Sequence, residues 1–248
     1  RAIQATILPP RDALAADLGP HAVVYLPRDV VGGDFYHHAP CEDGSLTLVL
    51  DCTGHGVPGA FISMMASSVL RHALEDGTSD PADVLARLDR GMRQARNHRE
   101  VRGALDAGLD VVACRVDRRA RKITVAGAGL SAFVLDGEDV VELKGDRHRA
   151  GYHGSEPDHR FTTHVLAPAS GARVYLVTDG VLDHAGGEKG FGLGMPRFTQ
   201  LLRSLAGVPM EEQGERFEEA LRAWAGPRPQ RDDVTLVGFE LHWRNPHA

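Results

Sequence analysis

The order of the apolar runs limits this chain more than any other feature. Residues 21–27, 34–39 and 46–52 read as strands, and the third is a nearly unbroken apolar run, Leu46-Thr47-Leu48-Val49-Leu50-Asp51-Cys52, entered through the turn Glu42-Asp43-Gly44. Two helices come next. Residues 57–72 repeat apolar side chains at Phe61, Met64/Met65, Ser68/Val69 and Ala73. A second helix starts at Asp80-Pro81, with proline in its first turn, and runs to about residue 97 with Val84, Leu85, Leu88 and Met92 as its buried stripe. Strand candidates follow at 109–116, 122–126, 131–135, 140–143, 161–166 and 173–178, separated by turns such as Asp117-Arg118-Arg119 and Asp136-Gly137. Residues 196–205 and 210–224 are helical, and 234–241 form a last strand. Closely spaced strands with hairpin turns point to antiparallel sheets, and helices segregated in pairs point to layers. The expected class is therefore α+β: a central antiparallel β-sandwich with a helix pair on each face, in α-β-β-α layers. The order excludes an alternating βαβ, Rossmann-type sheet.

Composition narrows the function. The 248 residues hold 28 Lys and Arg against 34 Asp and Glu, a net charge of −6, which argues against a sequence-independent grip on nucleic acid. No run approaches the apolar length of a membrane span, and no signal peptide is visible. Cys41, Cys52 and Cys114 are irregularly spaced and suggest a reducing compartment without a disulfide framework. There are no internal repeats and no linker long enough to divide residues 11–248 into two domains. Residues 1–8 carry Ile3, Ile7 and Leu8 at helical spacing until Pro9-Pro10 stops them, so residues 1–10 read as the end of a connecting helix. The chain begins at Arg1 and reads as a piece of a longer protein whose sensor or membrane segment precedes it.

Four aspartates stand at the ends of apolar strands or against glycine: Asp34 in Val31-Gly32-Gly33-Asp34-Phe35, Asp51 before Cys52-Thr53-Gly54-His55-Gly56, Asp179 in Val177-Thr178-Asp179-Gly180, and Asp232 in Arg231-Asp232-Asp233-Val234. A single Asp-Gly is usually a turn or cap. Four ionised carboxylates beside buried strands are costly unless they are paired or hold a metal, and oxygen donors suit Mg²⁺ or Mn²⁺ rather than Zn²⁺.

With their flanking residues these segments resemble the metal-dependent protein Ser/Thr phosphatases, the protein phosphatase 2C-like family. The similarity is greatest to its bacterial branch typified by the sporulation phosphatase SpoIIE and the stress phosphatase RsbU. It runs from Ile3-Gln4 through Pro27-Arg28-Asp29-Val30-Val31-Gly32-Gly33-Asp34-Phe35-Tyr36 to Asp232-Asp233-Val234-Thr235, and the segment from Asp51 to Phe61 looks most like the SiaA-type subgroup. The resemblance implies two Mn²⁺ or Mg²⁺ ions, with a third in some members. Asp51 would bridge the ions, the Cys52 carbonyl would be a further ligand, Asp34 would act largely through bound water, and Asp179 and Asp232 would hold the first ion's side. A hydroxide shared by the ions would attack phosphorus in line, with no protein nucleophile. The implied substrate is a phosphoserine or phosphothreonine on a small anti-sigma-factor-antagonist-type partner. The implied setting is a cytoplasmic domain, with homodimerisation through the N-terminal helix as a route for regulation.

Other residues keep two readings. His55 is either a general acid or group that orients metal water, or a helix-entry residue satisfied by backbone. Asp106 and Asp110 are candidates for an additional metal, or a loop acid and a strand-start acid. Asp233 is the weaker ligand of its pair, since its place is often amide-bearing in the family, and Arg28 is a phosphate contact or a surface arginine. The region 183–209 is where the family places a variable flap. A non-catalytic partner-switching module on the same fold is the alternative function, although all four acids are retained. A cyclic-dinucleotide cyclase, suggested by Gly32-Gly33-Asp34-Phe35, is opposed by Phe35 and by the hairpin-rich body.

Overall fold

The structure, a computed structural model, describes residues 2, 4–97, 108–152 and 158–243. Two five-stranded sheets face each other. The first has the order β1 (His21–Leu26), β10 (Val234–Glu240), β9 (Arg173–Val177), β6 (Ala132–Asp136), β7 (Asp139–Leu143). The second has the order β2 (Phe35–Cys41), β3 (Gly44–Cys52), β4 (Leu109–Asp117), β5 (Lys122–Ala128), β8 (His164–Leu166). Every strand pairing is antiparallel.

Three apolar cores fix the layers. On β3, Leu46, Leu48 and Leu50 pack outward against α2 (Gly56–Ala73) and α3 (Pro81–Asn97), while Val49 turns inward to meet Val174, Val237 and Phe239 of the other sheet. On β10, Val237 and Phe239 point inward, and Val234 and Leu236 pack outward with Phe198 of α5 (Gly194–Ser204) and Phe217 of α6 (Met210–Ala225). Because both faces of each sheet are covered, the strands read as continuous apolar runs rather than as an alternation. The α-β-β-α order expected from the sequence is the order observed.

Some local expectations change. Residues 11–18, which the sequence reading left without an element, form α1 (Arg11–Leu18). Its Leu14 and Leu18 enter the core between the sheets, and Gly19 ends it at a φ of 71°. The helix has only two strong apolar anchors, but Pro10 before it and the Ala-rich run within it were readable signals. Ahead of it stands a single 3-10 turn, Gln4–Ile7, rather than an α-helical turn, and Ile3 lies outside the described residues. In α3 the expected stripe of Val84, Leu85, Leu88 and Met92 is fully buried. In α2 the apolar recurrence is only partly buried: Ala73 is buried and Met65 and Val69 pack against the core, while Phe61 and Met64 are exposed. That helix packs through Gly59, Ser63, Ala66, Ser67 and Leu70, so small side chains let it lie close to its neighbours and Phe61 faces solvent.

His37 on β2 links this packing to pH. Burial, with His38 and Arg71 nearby, pushes its imidazole down to about 4. The unfolded chain takes up a proton below the ordinary histidine value of about 6.5, whereas the folded chain does so only near 4, so the stability is full above 6.5 and is lost as pH falls toward 4. Measured by urea unfolding, wild-type stability relative to His37→Gln should fall by about 2 kcal/mol between pH 7 and pH 5. Parallel curves for the two chains would contradict this.

Candidate metal centre

The sheet register brings the strand-end acids to one end of the sandwich. Phe35 pairs with Leu50, which sets Asp34, just before β2, beside Asp51 near the end of β3. In the first sheet Val177 pairs with Leu236, and the Thr178 N–H donates to the Thr235 carbonyl. That places Asp179, the first residue of the one-turn helix α4 (Asp179–Leu182), near Asp232 ahead of β10. The two sheets are tied across this end by Asp34: its Oδ2 accepts the Thr178 hydroxyl at 2.8 Å and the Thr235 hydroxyl at 2.7 Å.

Two glycines make the close approach possible. A Cβ on Gly33 would lie 2.6 Å from the Cys52 carbonyl oxygen, so only glycine lets the first loop pass over the end of β3. A Cβ on Gly32 would strike the Asp233 carboxylate at 2.5 Å. Asp233 itself is buried and spoken for: Oδ1 accepts the Arg28 N–H at 2.7 Å, and Oδ2 accepts the Gly33 N–H at 2.6 Å. It holds the loop that presents Asp34, while the exposed Asp232 beside it keeps its carboxylate toward the site.

The electrostatics are those of crowded anions. Burial raises Asp34 to about 8, with the Asp233 and Asp232 charges adding to the rise and the two threonine hydroxyls opposing it. Burial also pushes Asp51 well above the carboxylate range, helped by Asp34, Asp179 and Asp110, and its carboxyl lies within hydrogen-bonding reach of Asp179. Asp179 is raised by burial and by Asp232, Asp183 and Asp110. Like charges this close favour protonation unless a cation shares the site. The Cys52 thiol is buried and raised, so it offers no thiolate; only its carbonyl is a donor. Among the described residues, no three His, Cys, Asp or Glu side chains form a closed metal-binding group. Mg²⁺ and Mn²⁺ fit such a set, since Mg²⁺ takes one or two carboxylates and keeps several waters.

The remaining candidates are distributed around this centre. His55 caps α2 and stands between two charges: Nδ1 is 3.0 Å from the Asp29 carboxylate and Nε2 is 2.6 Å from the Arg28 guanidinium. Arginine only donates, so Nε2 is the acceptor and Nδ1 carries the proton toward Asp29. Arg28 also donates to the Arg231 carbonyl at 3.1 Å. Asp110 is the cross-strand partner of Asp51, and Arg149 grips it with two hydrogen bonds. Tyr152, whose ring Arg149 overlies, hydrogen bonds the Thr53 hydroxyl at 2.7 Å. Asp106 lies outside the described residues. Of the region 183–209, the part from Gly194 on is largely the packed helix α5. A cavity of about 310 Å³ between the preceding loop and the site is lined by Asp183, His184, Arg231 and Asp232, among others. Sequence reasoning missed Thr178, Thr235, Asp29, Arg149 and Asp183. The two threonines, polar residues next to acids in otherwise apolar strands, were a readable signal.

Known proteins share the fold. The family model described as Stage II sporulation protein E matches residues 42–242. The SiaA-PP2C domain of Pseudomonas aeruginosa is 43% identical, superposes with a TM-score of 0.87, and is matched over 97% of this chain and 93% of that one. The RsbU and RsbW domains of a Mycobacterium tuberculosis protein share the fold at 21% identity and a TM-score of 0.72, over 93% of this chain and 62% of that one. The catalytic domain of the serine/threonine phosphatase PstP, in complex with two manganese ions, shares it at 16% identity and a TM-score of 0.63, over 90% of this chain and 97% of that one. None of the curated protein sequences compared with the chain matches it. Together, the family match over most of the length and the close likeness to the SiaA domain show that the chain belongs to the SpoIIE-type, PP2C-fold family of metal-dependent serine/threonine phosphatases.

Proposed function

We propose that this chain removes the phosphoryl group from a serine or threonine of a small anti-sigma-factor-antagonist-type protein, using two Mn²⁺ or Mg²⁺ ions. The observation that carries the reading is the meeting of four aspartates, distant in the chain, at one end of the sandwich, where burial and neighbouring carboxylates raise Asp34, Asp51 and Asp179. Partner switching is supported by the fold shared with a protein that carries RsbU and RsbW domains and with a chain of the bacterial stressosome.

Asp51, Asp179, Asp232 and the Cys52 carbonyl are the residues proposed to hold the ions, with Asp34 acting through water. Ions bound there would make a water nucleophilic at neutral pH and offset the charge on the phosphoryl oxygens. The chain's own residues do the rest. Thr178 and Thr235 fix Asp34 by donating to one oxygen, which leaves the other free for the site. Asp233 holds the Gly32-Gly33 loop in place. Arg28 stands at the rim with its guanidinium set by His55 and by the Arg231 carbonyl, in position to meet a phosphate. His55, with its Nε2 lone pair on Arg28 and its Nδ1 toward Asp29, is proposed as a positioning residue rather than as a proton donor to the leaving oxygen. Asp110, neutralised by Arg149, supports Asp51 across the strand pair.

Hydrolysis of p-nitrophenyl phosphate tests the reading. Turnover is expected with Mn²⁺ or Mg²⁺ and should disappear in excess chelator. Equal rates in metal and chelator, or none under any condition, would overturn it.

A further inference from the structure

Large apolar side chains rarely face water in a group without a reason. Among the described residues seven are exposed, and four of these lie together: Val30 (73% exposed), Val57 (61%), Phe61 (69%) and Met64. Val57, Phe61 and Met64 follow one another at i, i+4 and i+7, so they share one face of α2. The opposite face, with Ser63, Ala66 and Ser67, is locked against the body of the protein, so the stripe is presented on a rigid support. Val30 belongs to the loop that continues from Arg28 and Asp29, and Asp29 binds His55 at the start of α2.

The patch is therefore continuous with the rim of the metal centre. A phosphoprotein placing its phosphoryl group among the four aspartates can lay its flanking chain over this rim. Asp29 and Arg28, which border the patch, each hydrogen bond His55, and the surface beyond them that is open to a partner's flanking chain is apolar.

We propose that Val30, Val57, Phe61 and Met64 form the docking surface for the phosphoprotein substrate, and that it selects apolar side chains a few residues from the phosphorylated position. This inference rests on the phosphatase reading. Its test uses two 13-residue phosphoserine peptides, identical except for leucine or serine at the second to fourth positions on either side of the phosphoserine. Hydrolysis of p-nitrophenyl phosphate is followed in parallel. Wild type should prefer the leucine peptide by about tenfold or more in kcat/KM, mainly through KM, the scale set by burying one or two apolar side chains. Phe61→Asp should reduce that preference to near unity while p-nitrophenyl phosphate turnover is unchanged, and because the position is solvent-facing the variant should keep its fold and melting temperature. Equal rates on both peptides with full turnover of the small substrate would overturn docking and leave the phosphatase reading intact. No turnover of the small substrate would overturn both. A wild-type dimer in sedimentation velocity that Phe61→Asp makes monomeric, with the peptide preference retained, would assign the patch to a second copy of the chain and overturn the proposal.

Discussion

Replacing Asp51 with Asn should reduce Mn²⁺-stimulated phosphate release by about 10³-fold or more, since it removes the charge on which the metal centre depends. The fold should survive. Asn can still hydrogen bond to Asp179, and the substitution relieves the repulsion from Asp34, Asp179 and Asp110 that raises Asp51 in the wild type. In chelator the variant should therefore melt no lower than wild type. Each kcal/mol of relieved repulsion is worth about 2–4 °C at this size. Added Mn²⁺ should raise the melting temperature of the wild type and leave the variant nearly unmoved, because only the wild type gains by mass action. Differential scanning fluorimetry with and without metal, alongside phosphate release, checks both halves. A variant that keeps its turnover would remove Asp51 from the centre. One that unfolds in chelator would show that the carboxylate serves stability instead.

Asp233 should behave in the opposite way. Its two oxygens accept the Arg28 and Gly33 N–H groups at 2.7 and 2.6 Å in a buried setting. Asp233→Ala leaves both donors without a partner, at a cost of about 2–4 kcal/mol, and it frees the loop that presents Asp34. Activity should fall with stability. Asp233→Asn keeps one acceptor and turns its NH₂ toward the other N–H, so it should cost about half as much, ~1–2 kcal/mol, and retain most of its turnover. Urea denaturation and p-nitrophenyl phosphate assays of both variants separate the cases. If Asn were as damaging to turnover as Ala while leaving stability intact, Asp233 would be a ligand rather than a clamp.

The layers could be read in advance because both faces of each sheet are covered by other layers. Leu46, Leu48 and Leu50 on one side and Val49 on the other make an apolar run whose length and turns fix a strand. The acids were legible for a related reason: Asp34, Asp51, Asp179 and Asp232 interrupt or end such runs, where an unpaired charge is costly. Only the family resemblance set Asp233 apart from Asp232 in sequence, as the weaker ligand, and the folded loop shows why the two differ: backbone N–H groups occupy the Asp233 carboxylate. The Arg149–Asp110 pair was invisible because 39 residues separate partners that meet only when Ala150 pairs with Leu109 beside β4. α2 misled most. Its apolar recurrence gives the right element but mixes two faces: Met65, Val69 and Ala73 pack on the core beside Gly59, Ser63 and Ser67, while Phe61 and Met64 are left at the rim. α1 was hidden because only its two leucines mark a buried face, although Pro10 and its alanines favour a helix.

The central claim is that Asp34, Asp51, Asp179 and Asp232 together make a two-ion centre. Crystals grown with Mn²⁺ and measured at the manganese edge test it most directly. Two anomalous peaks within this carboxylate group, about 3.5–4 Å apart with Asp51 between them, are the expected result. Manganese elsewhere on the protein, or no peak at these residues in crystals of an enzyme that turns over phosphate, would contradict it.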